Sequence, residues 1–182
     1  MSAESRAGGR APAERPVGAA GKTYVVVPAR YASERLPGKP LCDIQGRPLV
    51  VHVADRAREA DVGPVWVATD DERVRAACMD HGIEVVMTRD SHRSGTERIA
   101  EVCAIKRLDA QAQVVNLQGD EPLMPASLIR QVAVTLDESG ADMSTLSHRI
   151  ESAEDLMSPN VVKVVTDSVG RALYFSRAPI PW

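Results

Sequence analysis

The sequence predicts an α/β fold with a mainly parallel sheet. Two observations carry this. Short β-branched runs alternate with segments of helical apolar spacing at least four times along the chain. Gly, Pro and Asp stand at the joints between them, where turns and helix caps need them. Composition agrees: 44% of the 182 residues are hydrophobic and only 3% aromatic, so the core must be built from Val, Leu, Ile and Ala.

Residues 1–21 are rich in Ala, Gly, Pro, Arg and Glu without periodicity, and read as a disordered tail. Glu4 and Glu14 count against an organelle transit peptide. The first strand is expected at Thr23–Val27, followed by a loop to about Pro40. Asp43–Arg47 reads as a turn, and Pro48 suits the first position of a helix whose apolar face is Leu49, Val50, Val53, Ala54 and Ala57. Gly63-Pro64 closes the connection to a second strand, Val65–Thr69. Asp70 or Asp71 caps the next helix, marked by Val74, Ala77, Cys78 and His81 and stopped at Gly82. His81, near that helix end, reads as a capping or solvated residue.

A third strand is expected at Glu84–Met87. Ser94-Gly95-Thr96-Glu97 has the form of a capping box, opening a helix that runs to about Leu108. Val114–Leu117 is the fourth strand, ending in Gln118-Gly119-Asp120-Glu121-Pro122. A helix follows from near Pro125, with Leu128, Ile129, Val132, Ala133 and Leu136 on one face. Asp142–Ser147 is a possible fifth strand. Val161–Thr166 and Arg171–Phe175 flank Asp167–Gly170 as a β-hairpin, which implies a mixed sheet or a small appended lobe.

Net charge is −3, which argues against a nucleic-acid partner held by bulk electrostatics. Cys42, Cys78 and Cys103 match neither a disulfide framework nor a zinc motif and read as reduced thiols. No apolar run approaches the roughly 20 residues that cross a bilayer, and no secretory signal is visible. A cytoplasmic protein without a membrane partner is the expectation.

Ligands of such sheets bind at the carboxyl ends of the strands. There the sequence places loops 28–40, 69–71, 88–96 and 118–122. The first is cationic, with Arg30, Arg35 and Lys39 against Glu34, and is stiffened by Pro28, Pro37 and Pro40. It is neither a Walker A loop nor a dinucleotide fingerprint. A receiver for polyphosphate and an ordinary basic surface loop both fit it. Asp120, directly after the fourth strand, suits Mg²⁺ beside a nucleotide triphosphate, because Mg²⁺ takes only one or two protein carboxylates. It equally suits a turn. Ser94-Gly95-Thr96 can offer N–H groups and hydroxyls to a ligand, or simply cap its helix.

The run Pro28-Ala29-Arg30-Tyr31-Ala32-Ser33-x-Arg35-Leu36-Pro37-Gly38-Lys39-Pro40-Leu41 closely resembles the opening of the 3-deoxy-manno-octulosonate (Kdo) cytidylyltransferases. The resemblance continues through Ala68-Thr69-Asp70, Met87-Thr88-Arg89, Ser94–Arg98, Asn116-x-Gln118-Gly119-Asp120-Glu121-Pro122, Pro159-Asn160-x-Val162-Lys163-Val164-Val165 and Ala172–Trp182. It covers essentially everything after residue 22. The acylneuraminate cytidylyltransferases share the Pro-Ala-Arg opening but not usually Arg-Leu-Pro-Gly-Lys-Pro-Leu, and are the weaker match.

The resemblance implies a three-layer, nucleotidyltransferase-like fold over residues 22–182. It implies transfer of CMP from CTP to Kdo with release of pyrophosphate, for lipopolysaccharide-type glycans. Arg30, Arg35 and Lys39 would hold the triphosphate, with Ala29 and Ser33 from the same loop. Ser94, Arg98 and Gln118 sit where the family recognises cytosine and ribose. Asp120 would ligate Mg²⁺, and Arg177 is a candidate for the sugar carboxylate. Arg30, Lys39 and Asp120 are the residues placed nearest the chemistry. Relative to the family pattern the domain is expected to be C-terminally incomplete, ending inside a motif at Trp182. The part beyond would pair subunits into a homodimer, contribute sugar contacts and bring a second metal-binding aspartate. An inactive CTP-binding fragment and an acylneuraminate cytidylyltransferase are the alternatives.

Overall fold

The structure is a computed structural model and describes residues 22–32 and 36–181. The expected tail 1–21, Ser33, Arg35 and Trp182 lie outside the described residues. The chain divides into two compact units, one ending at Ser144 and one beginning at Thr145.

The first unit is built on a four-stranded sheet. Its strands are β1 (Thr23–Pro28), β4 (Val65–Thr69), β5 (Glu84–Met87) and β6 (Gln113–Asn116), in the order β5-β4-β1-β6. Every pairing is parallel. A short 3₁₀ turn (Lys39–Leu41) and a two-residue ladder, β2 (Asp43–Ile44) with β3 (Arg47–Pro48), precede α1 (Leu49–Ala60). The ladder closes on Gln45 and Gly46, both at positive φ, so the expected turn is a minimal hairpin. Pro48 is the N-cap of α1 rather than its first residue.

The remaining helices of this unit are α2 (Glu72–Asp80), α3 (Gly95–Ile105) and α4 (Ala126–Ser139). Asp71, not Asp70, caps α2, accepting the N–H groups of Arg73 and Val74. His81 terminates that helix, its Nδ1 2.9 Å from the Ala77 carbonyl oxygen, as a capping role requires.

Alternation along β1 splits the core into two layers. Val25 and Val27 face a cluster with Val50, Val53, Ala54 and Ala57 of α1, Val74 and Cys78 of α2, and Ile129 of α4. Val26 points the other way, with Trp66, Ala68 and Val86, onto Ile99 and Val102 of α3. Fully burying each such apolar side chain contributes roughly 1.5–3 kcal/mol, so β1 is fixed from both faces. Valine at successive positions is what a strand covered on both sides demands.

The chain leaves β1 towards β4 and β5, then jumps back across the sheet to β6. The topological switch therefore lies between β1 and β6, and it opens a crevice at their carboxyl ends. Two glycines let the backbones close there. A Cβ on Gly119 would lie 2.7 Å from the Pro28 carbonyl oxygen, and one on Gly95 would lie 3.3 Å from the Pro28 ring.

The second unit contains α5 (Ala153–Met157) and a hairpin of β7 (Lys163–Thr166) with β8 (Ala172–Ser176). The hairpin matches the expectation, but it pairs only with itself and the main sheet stays purely parallel. Residues 142–147 form no strand: Met143 and Leu146 are exposed, so the segment has no buried face to hold it in a sheet. Lys163 is buried, and its ammonium donates to the carbonyls of Ser158, Val161 and Arg177, satisfying all three donors.

Candidate active site

Three loops meet at the crevice, and the expected fourth, 69–71, contributes no residue to its lining. Their ends line a cleft of about 510 Å³ whose walls include Pro28, Ala29, Arg30, Leu36, Lys39 and Pro40 after β1. His92 to Gly95 and Arg98 close it from the β5–α3 side, and Gln118 to Asp120 from β6. Ala29, Arg30, Lys39, Ser94, Arg98, Gln118 and Asp120 are thus brought together from loops up to 91 positions apart in the sequence.

Pro37, Gly38 and Pro40 shape the arm that carries Lys39. Gly38 adopts φ +74°, and its N–H donates to the Tyr31 carbonyl at 2.9 Å, closing the base of the loop. The Tyr31 ring is held in turn by the Arg73 guanidinium, 3.5 Å from its centroid. Arg73 also forks onto Asp71 at 3.0 and 2.6 Å. That hydrogen bond holds the Asp71 carboxyl below the usual carboxylate range.

Lys39 Nζ lies 2.6 Å from Asp120 Oδ2. The cation expected on phosphate and the carboxylate expected on metal therefore face each other across the cleft mouth. Glu121, beside Asp120, has its carboxyl pushed up by burial first and by the neighbouring Asp120 charge second.

Arg98 forms the cleft floor and is 2% exposed. Its Nη1 bonds the Thr88 hydroxyl and stands 3.4 Å from Asp70 Oδ1, its counter-charge. That ionic approach is too poorly aligned to count as a hydrogen bond, since Oδ1 has no hydrogen-bond partner. Arg98 Nη2 is buried and equally without one, so a ligand acceptor reaching it would satisfy a donor that is costly to leave unpaired. Gln118 is oriented from the side, its Nε2 donating to Asn116 Oδ1 at 2.9 Å. The capping box forms with one change. Ser94 Oγ accepts the Glu97 N–H at 3.2 Å, while the Glu97 carboxylate reaches the Arg93 N–H at 2.7 Å rather than that of Ser94.

Arg177 belongs to the second unit, where its Nη1 donates to the Pro159 carbonyl at 2.7 Å. Sequence reasoning missed His92 and Arg93 in the cleft wall, and Asp70 and Thr88 as the partners of Arg98. His92 and Arg93 stand in a loop with no motif of their own, whereas Asp70 and Thr88 lie in the motifs Ala68-Thr69-Asp70 and Met87-Thr88-Arg89, which could have drawn attention to them.

Among the described residues, no group of three or more His, Cys, Asp or Glu side chains is placed to hold a metal ion. The acidic donor at the mouth, Asp120, nevertheless fits Mg²⁺, which takes only one or two protein carboxylates and completes its shell with phosphate oxygens and water. No helix among the described residues is long and apolar enough to cross a membrane.

Comparison with known proteins gives the family. A family model described as cytidylyltransferase matches residues 24–182. The 3-deoxy-manno-octulosonate cytidylyltransferase of Aeromonas salmonicida is 57% identical over 162 residues, covering 87% of this chain and 62% of the relative. That of Xanthomonas campestris pv. campestris strain B100 is 58% identical over 159 residues, covering 87% and 57%. The structure of CMP:2-keto-3-deoxy-manno-octonic acid synthetase complexed with CTP superposes with a TM-score of 0.80 at 42% identity, covering 89% of this chain and 66% of that one. A cytidylyltransferase from Leptospira borgpetersenii, at 22% identity and a TM-score of 0.53, shares the fold. The chain thus spans less than two thirds of the length of these relatives. With the family model matched from β1 to the end of the chain, and the cleft at its switch point, the chain belongs to the cytidylyltransferase family.

Proposed function

We propose that the cleft binds CTP and that the protein transfers CMP to 3-deoxy-D-manno-octulosonate, releasing pyrophosphate. The observation that carries this is the meeting of Lys39 and Asp120 at 2.6 Å across the mouth of a cleft whose floor holds a buried arginine with a spare donor. A polyphosphate with its cation needs a positive and a negative group side by side at one end. A base needs directional donors at the other.

In this reading Arg30 and Lys39 hold the triphosphate, joined by Arg35 and Ser33 of the same loop. Ala29, buried at the end of β1, lets that loop pass close to the nucleotide. Arg98, Ser94 and Gln118 take the cytidine. The acceptor's anomeric hydroxyl attacks the α-phosphorus in line with the departing pyrophosphate, and the residues mainly position the reactants and stabilise charge. Mg²⁺, held in part by Asp120, would neutralise phosphate charge and polarise the α-phosphoryl group. Arg177 is proposed for the acceptor carboxylate on the resemblance alone. The names of the relatives support Kdo as the acceptor. A cytoplasmic homodimer serving lipopolysaccharide-type glycans is the setting this implies.

The experiment is pyrophosphate release from CTP with Kdo, with N-acetylneuraminate, and with no acceptor, each with and without Mg²⁺, by this chain and by a version carried to the relatives' full length. Release that needs both Kdo and Mg²⁺ is expected of the longer version, while this chain should bind CTP and release little. Release with N-acetylneuraminate alone would transfer the reading to the acylneuraminate enzymes. Calorimetric CTP binding without turnover by either version would leave a nucleotide-binding protein and remove the transfer step.

A further inference from the structure

Helix α3 faces the β5–α3 loop with two carboxylates one turn apart, Glu97 and Glu101. Glu101 does more than one helix residue needs to do. Its Oε2 accepts the Arg89 N–H at 2.9 Å and its Oε1 accepts Arg89 Nε at 3.0 Å. The same Oε2 meets His92 Nε2 at 2.5 Å. One carboxylate therefore ties down both ends of the stretch 89–92. Glu101 is 15% exposed and His92 10%, so this tie is largely shielded from water. Glu97 fastens the next residue through the Arg93 N–H.

The fastened stretch leads directly to the cleft. His92 lines it, and the His92 carbonyl oxygen accepts Arg30 Nη1 at 3.4 Å. Arg30 is otherwise an exposed side chain at the end of β1. A long cationic side chain without a fixed acceptor loses more freedom when it meets a phosphate. Fixing that acceptor requires the 89–92 backbone to be fixed, and Glu101 supplies the bonds that fix it.

We infer that Glu101 is a positioning residue for phosphate recognition: through Arg89 and His92 it holds the carbonyl that aims Arg30 into the cleft. The inference rests on the nucleotide reading above. Glu101 does not itself line the cleft, and in that reading the sugar and base ends of the nucleotide would lie with other residues. Its effect should therefore follow the phosphates.

The test compares calorimetric affinities for CTP and for cytidine in metal-free buffer. Glu101→Ala is expected to weaken CTP binding about fivefold or more while cytidine binding moves less than about twofold, in the range expected for one charge-assisted contact. In an Arg30→Ala background the same change should leave the CTP-to-cytidine ratio where it is, because the two act as a unit. Glu101→Gln keeps the side-chain shape and carries the test if thermal melting shows the alanine variant unfolded; it should lower the ratio by a smaller factor. An unchanged ratio in a folded variant, or an undiminished effect of Glu101→Ala in the Arg30→Ala background, would overturn the inference. A wild-type protein that binds CTP no better than cytidine would instead overturn the phosphate cleft itself.

Discussion

Asp120→Asn should change CTP binding in opposite directions with and without Mg²⁺. The structure places Asp120 Oδ2 2.6 Å from Lys39 Nζ, with side chains 51% and 38% exposed. An ion pair so open to water contributes about 0.2–1 kcal/mol after screening. CTP must displace that contact if Lys39 is to meet a phosphate, and the Asp120 charge repels the same phosphates. Removing the charge while keeping the shape frees Lys39. Metal-free CTP affinity should then rise about 1.4- to 5-fold, which is that energy converted at 1.4 kcal/mol per tenfold. With Mg²⁺ present the variant lacks the carboxylate that would share the ion, and its affinity should fall below that of the wild type. The assay is calorimetric titration of CTP into both proteins, in EDTA and in Mg²⁺, at low salt where surface charges are least screened. A fall of equal size in both buffers would mean that Asp120 serves the fold. Equal affinities throughout would reduce it to a turn residue.

The other expectations follow from neighbouring geometry. Lys39→Ala should weaken CTP binding at least about tenfold, roughly 1.4 kcal/mol. It should hardly move the melting temperature, because the lost ion pair is exposed; a large drop in melting with unchanged CTP affinity would contradict the assignment. Gly119→Ala should destabilise the fold by about 1–3 kcal/mol, since its Cβ would press on the Pro28 carbonyl at 2.7 Å, and denaturant unfolding measures this. Cys78 is fully buried and its thiol is pushed up to about 11 by that burial. At pH 8 it should resist Ellman's reagent in the native protein and react after unfolding. Rapid native labelling of Cys78 would show that the α1–α2 side of the core opens readily.

Much of this site was visible before the fold was known, for a physical reason. Strand ends in a parallel sheet must carry loops, and loops with Pro37-Gly38-Lys39-Pro40 or Gly119-Asp120 announce their backbone geometry through residue type. Valines 25 to 27 announced a strand covered on both faces. What the sequence hid were pairings made at long range. Lys39 and Asp120 stand 81 positions apart, and nothing local says that they touch. Arg98 is marked by the resemblance alone, and nothing local says that Asp70 and Thr88 draw it into the floor. Glu101 carries no local signal that it clasps the loop 89–92. The segment 142–147 forms no strand because its two apolar residues, Met143 and Leu146, are three apart and both exposed, so no single buried face holds it in a sheet.

The central claim is that the cleft between β1, α3 and β6 is the CTP site, and the measurement that tests it most directly is a crystal structure of this chain soaked with CTP and Mg²⁺. The account predicts the triphosphate within hydrogen-bond distance of Lys39 Nζ and the Arg30 guanidinium. It predicts the cytosine and ribose against Ser94, Gln118 and the buried Arg98, with Nη2 of Arg98 no longer unpartnered. A nucleotide bound elsewhere on the chain, or an empty cleft at saturating CTP, would contradict it.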